Sequence, residues 1–216
     1  MWTWYLHLFR GQADADTLRK AVTQYRTVEA STTRTLIWVV AIIFSIEILM
    51  TPIFEIQSIR VFATGLFKIE PELAWILAPV LHAGFRHVLA NIGGLVLIGF
   101  PLEQHFTKRR FAMFIIGTAY ISIMGGWLAQ TMFTTNQIAV YGISGTVYAL
   151  AGYALVHFGR STDRLFAFEW IAMMFGLGAA VTVVLDPFTG PYLHPDWING
   201  GHATGFLIGV TTRVVR

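Results

Sequence analysis

The chain has 216 residues, 55% of them hydrophobic and 12% charged, about half the charged share of an ordinary soluble domain. That composition excludes a soluble globular domain, and the absence of cysteine excludes disulfides, thiolate metal sites and a cysteine nucleophile. The formal net charge of +3 is a topology signal, and no nucleic-acid partner is expected from it.

Residues 1–34 open with the apolar run Met1 to Phe9, which lacks a basic n-region, and continue as the polar stretch Arg10 to Arg34. No cleavable signal peptide is expected there. The segment reads as a cytoplasmic N-terminal region, with Trp2, Trp4 and Tyr5 available to rest at the membrane interface. Residues 35–216 read as an all-α, polytopic membrane domain of six transmembrane helices, because the apolar runs are continuous and do not alternate with the period of two that a barrel needs. The first helix is expected from Thr35 to Pro52, with Glu47 inside it, and a long apolar connection from Phe54 to Trp75 follows. The second opens around Gly84 to His87 and closes near Pro101 to Glu103. The third runs from Phe111 to Phe133, with a break at Thr134-Thr135-Asn136-Gln137, and the fourth begins at Ser144. The fifth spans Phe168 to Leu185, and the sixth follows a loop from Asp186 to Asn199 that holds three prolines. Alternating the helices puts twelve of the fifteen Lys and Arg residues on one side, leaving only Arg60, Lys68 and Arg86 on the other. The positive-inside rule then places both termini in the cytoplasm, and the expected membrane is the plasma (inner) membrane of a prokaryote.

Residues 111–159 contain no Asp, Glu, Lys or Arg, yet include Gly142-Ile143-Ser144-Gly145. The later apolar run carries Gly201-His202-Ala203-Thr204-Gly205. A serine and a histidine among glycines at membrane depth suggest a nucleophile and its base. The bland alternative is close helix packing, for which Gly145, Ala149 and Gly152 form a small-residue stripe at i, i+4, i+7. The two readings converge: His202, Gly205 and Gly209 share a face, and pressing that face on the Gly145 stripe brings imidazole to hydroxyl. In the second helix His87 and Asn91 lie at i, i+4, so two donors share a face and can stabilise an oxyanion with the Ser144 amide. A metal site from His82, His87 and His202 is the weaker reading, since i, i+5 separates two of them around the helix and no carboxylate or HExxH motif accompanies them.

With these elements in place, the chain resembles the rhomboid family of intramembrane serine proteases over about Trp75 to Val210. The resemblance rests on His82 followed by His87-x-x-x-Asn91, on Gly142-Ile143-Ser144-Gly145, on Tyr148 one turn later, on Gly-His-x-x-Gly-x-x-x-Gly in the last helix, and on Glu103. It implies Ser144 as nucleophile, His202 as general base, and His87 and Asn91 as oxyanion donors. It also implies supporting roles for His82 near the mouth of the site, for Tyr148 packed on the histidine, and for Gly142, Gly145 and Gly205. The first outside loop departs from the pattern, with Trp75-Ile76 where the family often has Trp-Arg. The implied partners are transmembrane protein substrates within the lipid bilayer; no cofactor and no metal are implied, and the oligomeric state is left open. Asp186 and Asp196 read as loop residues, so a dyad without an acidic third member is expected. The rivals are a non-catalytic relative that escorts membrane proteins, and a small proton-coupled transporter. The transporter reading accounts for Glu47 better, unless that carboxyl faces the bundle and is protonated or hydrogen-bonded.

Overall fold

In the computed structural model, residues 30–54, 76–82, 84–133, 140–160, 165, 167–189 and 199–214 are described. The N-terminal expectations, the loop bearing Trp75, the Thr134 to Gln137 break and Asp196 lie outside these residues. Among the described residues there is no strand, and six helices form one unit, Ser31–Arg216. Helix α1 is Ser31–Phe54, four residues ahead of the expected start at Thr35. Helix α2 is Phe85–Glu103, α3 is Lys108–Phe133, α4 is Ser144–Gly159, α5 is Ala167–Thr189 and α6 is Gly200–Val214. Asp186, expected in a loop, has its backbone in the last turns of α5. Pro187 follows it and does not stop the helix there. This close to the end, a proline forgoes a single bond to the carbonyl four residues back, and only two more residues have to follow it.

Helix α2 is not uniform. It is α-helical over Phe85–Gly94, widens to a π turn at Leu95–Gly99, and resumes at Phe100–Glu103. Pro101 has no N-H for the carbonyl four residues back and its ring needs space there, so a wider turn immediately before it relieves both problems.

Helices α1, α2, α3 and α5 are long and apolar enough to cross a membrane. Helix α4 has 16 residues and α6 has 15. A 16-residue helix is about 24 Å long, less than the ~30 Å hydrocarbon core, so an end of α4 lies inside the membrane. Its burial fits that position: Ala149, Leu150 and Ala154 have no exposed surface. The protein is thus an integral membrane protein with a short, buried helix, α4, packed most extensively on the similarly short α6.

The most extensive helix contact in the bundle is between α4 and α6. Glycine makes it possible. A Cβ on Gly205 would run into the backbone carbonyl of Gly145, and one on Gly209 into that of Ala149. Only hydrogen at those positions allows the two backbones to touch, as the matched stripes predict. At the other end of α4, away from Ser144, α2 holds the start of α1: the Glu103 carboxylate accepts from the amides of Thr32 and Thr33, both at 2.8 Å. Those amides are orphans of the first helical turn, so Glu103 acts as their cap from another helix.

Candidate active site

Ser144 is the first residue of α4, and the turn before it sets its direction. Gly142 has φ +98°, a left-handed conformation that glycine adopts without strain. Its amide donates to the carbonyl of Ala78 at 2.7 Å, which ties this turn to the segment preceding α2. A Cβ at Gly142 would also meet the His87 imidazole, 2.8 Å from its Cε1. Gly142 is therefore required twice, for its backbone and for the ring lying over it. At the N-cap, Ile143 makes no side-chain capping bond. The first-turn amides beside Ser144 are consequently not taken up by that side chain, and they lie at the positive end of the helix dipole.

His202 reaches Ser144 from α6. Its Nε2 lies 2.9 Å from Ser144 Oγ, across 58 residues of sequence. One group stacks on the imidazole and another caps the helix that carries it. Tyr148, one turn along α4 from Ser144, stacks on it with ring centroids 4.0 Å apart and planes 8° from parallel. Asn199 caps α6: its Oδ1 accepts the His202 amide at 3.2 Å and its Nδ2 lies 3.4 Å from Nε2. Sequence reasoning missed Asn199, although an Asn three residues before the histidine is the usual N-cap spacing. Among the described residues no carboxylate hydrogen-bonds the imidazole.

The opposite wall comes from α2 and the segment before it. Asn91 is 3% exposed and its Nδ2 lies 2.9 Å from His82 Nε2. His82 Nδ1 lies 2.9 Å from the carbonyl of Val80, which can only accept, so Nδ1 carries the proton and Nε2 accepts from Asn91. The Asn91 amide has two hydrogens, and this bond orients it while leaving the second available. His82 is 1% exposed, so it stands behind the site and not at its mouth. Its backbone amide is held in turn by the carboxylate of Glu47, at 3.2 and 3.4 Å. Glu47 is 6% exposed and faces the bundle. This in-membrane carboxyl stands at the start of a chain of hydrogen bonds running Glu47, His82, Asn91. That link joins residues 35 apart in sequence and has no local signature. His87 completes the wall, with its ring 5.0 Å from that of His82 and 6.1 Å from that of Tyr141. The structure thus brings together Ser144, His202, Tyr148 and Asn199 on one side and His87, Asn91 and His82 on the other, with Gly142 between. Gly145 and Gly205 lie in the seam beneath.

The sequence profile of the Rhomboid domain matches residues 72–216. The chain is 35% identical over 133 residues to RHOMBOID-like protein 1 of Arabidopsis thaliana, covering 60% of this chain and 31% of that protein. It is 26% identical over 137 residues to Rhomboid protease GlpG of Photorhabdus laumondii subsp. laumondii, covering 63% of this chain and 44% of that one. An uncharacterized protein of Mycobacterium bovis, Mb1372, is 28% identical over 193 residues, 82% of this chain and 71% of its own length. The chain spans less than half the length of the first two relatives.

Proposed function

Because this chain belongs to the rhomboid family, whose members include serine proteases, we propose that it is an intramembrane serine endopeptidase that cleaves peptide bonds in or near transmembrane segments of other membrane proteins. The observation that carries this reading is the 2.9 Å approach of His202 Nε2 to Ser144 Oγ between two helices otherwise joined through glycine. Neutral His202 takes the Ser144 proton as Oγ attacks the scissile carbonyl. Negative charge develops on the carbonyl oxygen, where the uncapped amides of α4, the second Asn91 hydrogen and His87 supply donors. The imidazolium formed at that moment lies against the face of Tyr148, which favours a cation over a neutral ring. The C-N bond breaks as His202 returns the proton to the leaving amine; water, deprotonated by His202, then attacks the acyl-enzyme, and His202 returns that proton to Ser144 Oγ as the acid product leaves. The substrate segment must unwind to present its carbonyl, so helix-weakening residues near the cut favour cleavage. The distribution of Lys and Arg supports placing both termini in the cytoplasm.

A fluorophosphonate probe tests the reading directly. The purified protein labels, and Ser144→Ala and His202→Ala do not; labelling of Ser144→Ala at the native rate overturns it.

A further inference from the structure

The dyad stands on α4 and α6, yet one polar contact reaches it from α5. The Tyr148 hydroxyl lies 3.1 Å from Thr182 Oγ1. Thr182 Oγ1 is also 2.9 Å from the carbonyl of Ala179, one turn back on its own helix. A carbonyl only accepts, and a threonine hydroxyl has a single hydrogen, so that hydrogen lies on Ala179. Tyr148 is therefore the donor to Thr182, and the direction of the bond is fixed.

The ring geometry shows why this bond matters. Tyr148 and His202 stack nearly parallel with centroids 4.0 Å apart, so a shift or rotation of the tyrosine ring is passed directly to the imidazole. The tyrosine hydroxyl lies on the long axis of the ring, and a bond at that end fixes the direction of the axis. The ring's other end is anchored by the α4 backbone. With both ends held, the phenol becomes a wall of fixed position for the imidazole, which no carboxylate among the described residues orients.

We propose that Thr182 is a positioning residue for this protease, holding His202 in line with Ser144 through the Tyr148 ring; this rests on the serine-protease reading above. α5 is the least buried of the four long spans, so Thr182 makes the orientation of the base depend on a helix that the rest of the bundle holds only along one side.

The test uses the full-length protein in detergent and in liposomes, with Thr182→Val, Thr182→Ser, Tyr148→Phe and the Val/Phe double variant. A small fluorophosphonate needs no transmembrane substrate, so its second-order labelling rate reads the dyad alone. Thr182→Val should slow labelling about 3- to 15-fold, the range expected when one interhelical hydrogen bond in a membrane is lost. kcat on a transmembrane substrate should fall in parallel with KM little changed. Thr182→Ser should restore the rate, and the double variant should be no slower than either single, because one bond is removed in each. Labelling of Thr182→Val at the native rate overturns the proposal, as does a Thr182→Ser variant as slow as Val, or single effects that multiply in the double. Each of these leaves Ser144→Ala unreactive and so leaves the protease reading standing. Reactive Ser144→Ala would remove that reading instead.

Discussion

At one end of the bundle His202 points Nε2 at Ser144 Oγ, and no carboxylate among the described residues meets its ring. At the other end, His105 donates from Nε2 to the Glu169 carboxylate at 3.2 Å, and His157 accepts on Nδ1 from Arg213 Nε at 2.9 Å. The two end histidines also lie edge to face, 4.6 Å apart between centroids, with Phe158 packed against both. Histidine serves at both ends. The difference is what already occupies the polar atoms: at the far end each histidine meets a fixed partner of opposite character, whereas at the Ser144 end a hydroxyl, a lone pair and first-turn amides face one another with no charged partner among them. A histidine in a membrane protein is thus assigned to chemistry or to architecture by its neighbours, and Glu103, capping Thr32 and Thr33, belongs to the architectural end.

Substitution at each end should break this contrast in order of size. Ser144→Ala and His202→Ala should each lower cleavage of a transmembrane substrate by about 10⁴ or more, with the double variant scarcely worse, because nucleophile and base act as a unit. Melting temperatures close to the native value would show that the loss is chemical. Asn91→Ala should reduce kcat by about 10² to 10³, the usual cost of one oxyanion donor, while labelling remains detectable; native turnover in this variant would remove Asn91 from the oxyanion wall. Glu103→Ala should act on stability instead. It uncaps two amides held by a charged group, worth about 1.5–3 kcal/mol, so unfolding in detergent should come earlier while activity per folded molecule stays native. A Glu103→Ala protein that melts like the native one but cleaves poorly would erase the distinction between the ends. The smallest effect is expected for His157→Gln, which leaves a polar partner for Arg213 at a half-buried position: a stability change below about 1 kcal/mol and unchanged kcat. A large loss of turnover there would assign the far-end cluster to function.

Much of this protein is written in its residues. The apolar runs dictate helices, since a backbone in lipid must satisfy its own hydrogen bonds; α4 begins at Ser144 as the glycine turn before it implies, and the matched small-residue stripes foretell the α4 and α6 seam. The shared face of His87 and Asn91 at i, i+4, and that of His202, Gly205 and Gly209 at i, i+3, i+7, could be read in the sequence because 3.6 residues return a side chain to the same side of a helix. What required the folded bundle were the bonds between elements. The hold of Glu47 on His82, the bond from Asn91 to His82, the cap of Glu103 on α1 and the donation of Tyr148 to Thr182 join residues 35, 9, about 70 and 34 positions apart. No periodicity encodes such pairs, because which faces of different helices meet is decided by packing. For Glu47 the difference was decisive: sequence shows a costly carboxyl in a membrane helix, and only the tertiary structure supplies the amide that it holds.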